Sequence, residues 1–345
     1  MKVRFKTDES DKYSDTMILN VAYLIIGLIL ILMGANALTD GASAIAKRFG
    51  ISDLVVGLTV VAFGTSAPEL VISITSAIKG SSELSIGNVV GSNIFNILVI
   101  IGVTATAAPI VIKRSIMTNE IPMVILSSVI LLIMGNSVLL DGAPTSMINR
   151  VDGLMLLIFF ILFMRYTFAQ AKDTSADDPT AGNASATPAM KTGKAVVWVI
   201  GGLAALIFGG DRFVAGASGI AAGLGVSEAI IGLTIVAAGT SLPELATSVA
   251  AALKGKPGIA IGNVIGSNIF NALLVLGSAA TIRPLAFGSI NNVDLLVLLG
   301  ASILFLAFGW LFKVRTITRA EGLILVAAYV AYTVYLVAQA QSSAS

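Results

Sequence analysis

Two carboxylates stand where a carboxylate is most costly. Glu69 and Glu244 each lie inside a long apolar segment, and an ionised group at that depth is stable only when it faces a polar interior and has a partner. Both close the same pattern, Gly64-Thr-Ser-Ala-Pro-Glu69 and Gly239-Thr-Ser-Leu-Pro-Glu244. Brought together they repel, which favours either binding of a divalent cation or protonation of one of the two. The prolines supply further oxygens. Pro68 and Pro243 have no N–H to complete a helical bond, so carbonyls near Gly64, Thr65, Gly239 and Thr240 are released. Ser66 and Ser241, three residues before the glutamates, present hydroxyls on the same helical face. A shell of carboxylates, carbonyls and hydroxyls suits a hard cation such as Ca²⁺. The chain has no cysteine and no histidine, which removes the usual ligands of softer metals.

A second polar layer follows each pattern. Asn88, Ser92 and Asn96 are spaced four apart, as are Asn263, Ser267 and Asn271, so each set makes one stripe along an otherwise apolar helix. Facing the broken helices, the stripes complete the coordination and line a hydrated path. Asn93 and Asn268 fall off the stripes and read as packing groups. Gly87, Gly91, Gly262 and Gly266 permit close helix approach.

The elements that position these groups are read from hydropathy. Of 345 residues, 56% are hydrophobic and only 12% charged, far below the roughly 25% of an ordinary soluble domain. Apolar segments at 17–37, 42–78, 84–108, 120–140, 152–170, 193–213, 217–253, 259–282, 290–313 and 319–338 are near or above the about 20 residues that span a bilayer as helix. The fold expected is an all-α membrane protein of ten transmembrane helices. The second and seventh are too long for one straight span, and each contains the proline pattern, so both are expected to be broken. Asp211, Arg212, Lys47, Arg48, Asp53 and Glu228 fall near expected helix ends and read as interfacial anchors.

The halves repeat. Gly57 to Leu70 aligns without gaps on Gly232 to Leu245, and Gly87 to Asn96 on Gly262 to Asn271, both at an offset of 175 residues. With five spans in each half, the second enters the membrane in the opposite sense, an inverted five-plus-five repeat. The organisation expected is a polar tail at 1–16, a first repeat at 17–170, a flexible Asp-, Ala- and Thr-rich linker at 171–192, a second repeat at 193–338 and a tail at 339–345. The start mixes bases with acids and lacks the order of a signal peptide. Of the 21 Lys and Arg, eight fall on the side holding both termini; the excess opposite predicts a multi-pass protein of the cell (inner) membrane with both termini outside.

At these repeats the sequence resembles the sodium/calcium exchangers of the cation/calcium antiporter superfamily, in their prokaryotic form. The two Gly-Thr-Ser-x-Pro-Glu patterns, each followed by Gly-Ser-Asn-Ile-Phe-Asn, look like that family's two alpha repeats. The resemblance implies Ca²⁺ held by Glu69 and Glu244 with the carbonyls of Thr65 and Thr240. It implies Na⁺ held by Ser66, Ser92, Ser241 and Ser267 with carbonyls near Ala62 and Ala237, the two ions competing for overlapping sites. Asn96 and Asn271 close the stripes and are counted with the site. One departure is visible: well-known sodium/calcium exchangers carry an aspartate where Asn271 stands, so this site has two acids rather than three.

The function expected is secondary antiport of Ca²⁺ against Na⁺ by alternating access, with Ca²⁺/H⁺ antiport as the alternative, because paired glutamates can themselves take up protons. A passive channel would need a continuous pore and no counter-ion. An enzyme is excluded by the lack of histidine, cysteine or any pair of non-equivalent catalytic groups. No cofactor is expected beyond the transported ions. The partner is the lipid bilayer, with no obligate protein partner, and the net charge of +2 gives no reason to expect nucleic acid.

Overall fold

The computed structural model describes residues 4–173, 190–224, 237–288, 290–311 and 315–344. The described residues are mostly helical, since a helix satisfies every backbone polar group within a segment surrounded by lipid. In chain order the helices are α1 (Arg4–Phe49), α2 (Asp53–Thr65), α3 (Ala67–Lys79), α4 (Ser82–Ala107), α5 (Ile116–Gly135), α6 (Ser137–Asp141), α7 (Arg150–Asp173), α8 (Thr192–Gly223), α9 (Ala237–Gly239), α10 (Leu242–Leu253), α11 (Pro257–Ile282), α12 (Asn292–Leu311) and α13 (Arg319–Ala344). Among the described residues eight helices are long and apolar enough to cross a membrane, and α2 with α3, bent by 47°, makes a ninth. The remaining expected span, 217–253, falls partly outside the described residues; its last part is the short apolar helix α10.

Several boundaries move. The sequence places the first span at 17–37 and the second from 42, but α1 runs on to Phe49 and is stopped by Gly50 at φ 63°. Likewise α8 runs past the expected end at 213 to Gly223. Asp211 and Arg212 therefore stand inside a helix rather than at its end. The segments read as tails continue the helices, over 4–16 in α1 and 339–344 in α13. Most of the expected linker, 174–189, lies outside the described residues.

The layers follow from where small residues fall. The central helices α4 and α11 are the most buried spans, and their apolar side chains dominate the main core. Outside them, α1 and α8 pack antiparallel along their length and contribute to a second cluster. Gly34 meets Gly202 and Gly27 meets Gly209, while Gly41 packs on Ala195 and Gly216 on Asn20 and Leu24. The backbones touch there: a Cβ on Gly34 would lie 2.7 Å from Gly202 O, and one on Gly209 would lie 3.0 Å from Gly27 O. Such contact supplies the dispersion energy that drives helices together in lipid, where hydrophobic burial is of little use.

Short antiparallel strand pairs clip loops of one half to the other. β1 (Ile110–Val111) pairs with β4 (Thr316–Ile317), and β2 (Met147–Ile148) with β3 (Leu285–Ala286). At the end of the bundle where α10 turns into α11, Asp40 of α1 meets Lys254 at 2.9 Å and Lys256 at 3.6 Å. Lys254 also donates to Asn36 O at 3.2 Å. Burial lowers the pKa of Lys256, and the neighbouring Asp40 opposes that shift.

Replacing Gly34 by Val should separate α1 from α8, because the new side chain meets backbone rather than a movable rotamer. Overpacking of this kind costs about 1–3 kcal/mol. The expected result is a melting temperature several degrees lower in detergent, with Gly193→Val, where a Cβ meets nothing within 4 Å, close to the parent.

Candidate cation site

The two proline patterns fold alike. Helix α2 ends at Thr65, Ser66 leaves the helix at φ −83° and ψ 7°, and α3 restarts at Ala67 with Pro68 in its first turn. In the second half Ser241 takes φ −91° and ψ 7°, and α10 restarts at Leu242 with Pro243 in its first turn. Proline is tolerated there because first-turn N–H groups have no partner inside the helix. Each break leaves a glutamate in the first turn of the new helix, where the positive end of the helix dipole favours a carboxylate. The last carbonyls of α2 present the opposite end, which favours a cation.

The halves meet reciprocally at this point. Ser66 of the first repeat donates to Glu244 Oε1 at 3.0 Å, and Ser241 of the second donates to Glu69 Oε1 at 3.3 Å. The stripe serines approach as well, Ser92 Oγ to Glu69 Oε1 at 3.4 Å and Ser267 Oγ to Glu244 Oε1 at 3.5 Å. Thr240 also engages Glu69, and Thr65 engages Glu244. Both glutamates are buried, yet Glu69 Oε2 and Glu244 Oε2 have no hydrogen-bond partner among the described residues. A buried carboxylate oxygen left without a donor is what a bound cation satisfies. Among the described residues no group of three acidic side chains gathers, so the donor set is two carboxylates among neutral oxygens.

The stripes divide into two jobs. Asn263 Nδ2 donates to Glu244 O at 3.1 Å and to Ser248 Oγ at 2.9 Å, while its Oδ1 lies 3.0 Å from Thr65 Oγ1. Asn88 repeats the first two contacts, to Glu69 O at 3.3 Å and Ser73 Oγ at 3.0 Å. These asparagines brace the restarted helices rather than touch the carboxylates. Ser73 and Ser248 escape the motif reading, although a spacing of four from each glutamate is a signal that finds them.

Asn96 and Asn271 lie farther along, where α4 and α11 each widen into a π-helical turn, over Asn96–Ile100 and Phe270–Val275. Such turns recur at functional sites because they break the regular side-chain register. Neither asparagine bonds a glutamate. Asn271 Nδ2 donates to Asn93 Oδ1 at 3.1 Å, and Asn93 Nδ2 donates to Asn268 O at 3.1 Å, so the Asn93 side chain ties α4 to α11, while the Asn268 amide bonds Val264 O at 2.8 Å in its own helix. Both polar atoms of the Asn96 side chain, and Asn271 Oδ1, are buried without a partner among the described residues. The Ala62 carbonyl accepts Ser66 N at 3.0 Å and is approached by Thr65 Oγ1 at 3.4 Å. Ala237 begins α9.

The chain is similar to known proteins over most of its length. The family model described as sodium/calcium exchanger protein matches residues 19–169 and 194–338. The sodium/calcium exchanger MaX1 of Methanosarcina acetivorans is 32% identical over 92% of this chain and 98% of its own. The inner membrane protein YrbG of Escherichia coli strain K12 is 37% identical over 85% and 90%. A solved structure of the sodium-calcium exchanger NCX_Mj, soaked with Na⁺ and Sr²⁺, superposes with a TM-score of 0.77 at 34% identity, covering 91% of this chain and 97% of that one.

Asn263→Leu should lower the melting temperature more than Asn88→Leu. The first strips a fully buried site of its amide, leaving Glu244 O and Ser248 Oγ to bear about 1–3 kcal/mol per unsatisfied group. Asn88 is only half-buried, so water takes over its contacts. Equal losses in thermal unfolding would mean that the Asn263 amide is not what holds the second break.

Proposed function

The chain belongs to the sodium/calcium exchanger family, and from that premise we propose that it exchanges Ca²⁺ for Na⁺ through one central site built on Glu69 and Glu244. The observation that carries this reading is the reciprocal bonding of Ser66 to Glu244 and Ser241 to Glu69, which puts both acids beside each other's motif. Two buried carboxylates attract a divalent cation strongly, and their four oxygens with the carbonyls of Thr65 and Thr240 offer Ca²⁺ the hard, flexible shell it takes. Na⁺ uses the hydroxyls of Ser66, Ser92, Ser241 and Ser267 with the carbonyls of Ala62 and Ala237, and Asn96 and Asn271 extend the polar wall. Because these groups overlap, one ion displaces the other.

Exchange requires that access change only when the site is filled. In this reading the chain has ten spans in two halves of opposite sense, with both termini outside, and α1 with α8 slides as a pair past the remaining bundle. The antiparallel, glycine-lined packing of that pair along its length supports the division. Filling the site removes the net charge that would otherwise oppose the sliding of an apolar surface past it. Neither the family description nor the relatives named above mention a proton, so sodium coupling is the reading carried forward.

Glu69→Gln and Glu244→Gln should each abolish Ca²⁺ flux while leaving membrane insertion and melting behaviour near the parent. The measurement is Ca²⁺ uptake into sealed proteoliposomes under an outward Na⁺ gradient, compared with an outward H⁺ gradient at matched membrane potential. Near-normal flux in both variants would sink the paired-carboxylate site. Uptake driven by protons alone would replace sodium as the coupled ion.

A further inference from the structure

We infer that Asp211 is an outer way-station that captures the transported cation before it reaches the paired glutamates; this rests on the exchange reading above. A cavity of about 420 Å³ lies between α8 and the two helix breaks. Its lining includes Pro68, Thr240 and Pro243, each a member of the motifs that end in Glu69 and Glu244. Helix α8 lines it with Ile207, Gly210, Asp211 and Val214, a spacing that marks one face. Asp211 is the one acidic residue among the described lining groups.

Depth makes that acid unusual. Gly209 packs against Gly27, ten residues into the apolar span Met17–Phe49, so Asp211 stands inside the apolar span, on the side toward the start of α1. An ionisable group there belongs to a water-filled path or a charge pair. Its neighbour Arg212 approaches at 3.4 Å, but the Asp211 side chain remains 66% exposed. The Arg212 guanidinium is drawn the other way, over the rings of Phe208 at 4.8 Å and Tyr23 at 5.3 Å. The repeat supplies a control. At the offset of 175 the counterpart of Asp211 is Asn36, whose amide bonds Leu32 O in its own helix. The acid is present only in the half whose helix borders the cavity.

Sidedness follows from chain direction. Beyond Gly209, α8 runs toward the end of the bundle that holds the start of α1, and α3 runs away from the break toward the same end. The opposite end is where Asp40 binds Lys254 and Lys256. A fixed negative charge in a low-dielectric cleft raises the local concentration of cations and their rate of entry. Asp211 therefore acts on capture from the outer face and leaves the maximal rate to the glutamates.

The test measures half-saturating Ca²⁺ separately from each face in oriented proteoliposomes. Asp211→Asn should raise the outer value by about tenfold at low ionic strength, less at high salt, with the inner value and the maximal rate unchanged and Asp211→Glu restoring the parent. The chain has no native cysteine, so Asp211→Cys gives a single thiol. An anionic methanethiosulfonate should return the outer affinity, and a cationic one should worsen it. An unchanged outer value, an equal shift on both faces, or indifference to reagent charge overturns the station alone. A wild type that moves no Ca²⁺ under a sodium gradient overturns the exchange reading, and the station with it.

Discussion

Two like charges held together away from water are the constraint on which the rest of this structure depends. In a medium of low dielectric the repulsion between Glu69 and Glu244 and the loss of their hydration are both large. Neither is relieved by a fixed positive side chain, since no Lys or Arg is paired with them among the described contacts. Relief comes instead from dipoles: four serine hydroxyls aimed at one oxygen of each carboxylate, and the N-termini of α3 and α10 beneath them. Dipoles stabilise the charges without neutralising them, so a cation retains a reason to enter. A lysine in the same place would have made a stable protein with no site.

That solution demands backbone irregularity, and irregular backbone inside a membrane must be braced. Pro68 and Pro243 break the helices, and the restarted segments are then held by Asn88 and Asn263, which reach across from α4 and α11 to Glu69 O and Glu244 O. Helix α11 can come near enough because its contact face carries glycine, whereas on α4 a Cβ at Gly91 would meet nothing within 4 Å and the expected close approach there is not made. A Cβ on Gly262 would lie 2.6 Å from Leu54 O. The polar centre and the close helix packing are thus one design, in which each asparagine both satisfies a carbonyl and fixes a distance.

Much of this was legible in the sequence because the chemistry is local. Proline three residues after threonine, glutamate next to it and serine three before it fix a broken helix with an acid at its restart, whatever surrounds it. The stripe spacing puts Ser92 and Ser267 on the helix face whose hydroxyls approach the carboxylates, at 3.4 and 3.5 Å. It could not separate them from Asn88 and Asn263, which share the stripe but meet backbone, because spacing gives a face and not a partner. Helix ends were misplaced for a related reason. Hydropathy drops at Thr39-Asp40-Gly41, so a hydropathy reading ends the first span there, whereas the stop of α1 is a single left-handed glycine, Gly50. The same error in α8 put Asp211 and Arg212 at an interface.

The repeat is informative also where it fails. Motif residues are preserved at the offset of 175, but Asp40 of the first half is matched by Ala215, and Asp211 of the second by Asn36. The first difference gives α1 an ionic contact to the α10–α11 turn that α8 cannot make at the corresponding place. Partly exposed ion pairs contribute only about 0–1 kcal/mol each. That is nonetheless enough to weight two conformations of nearly equal energy several-fold, since about 1.4 kcal/mol is tenfold in an equilibrium. A perfectly repeated sequence would give an exchanger indifferent to its two faces. Under the exchange reading, these few unmatched charges, far from the ions' binding groups, are what make one face differ from the other.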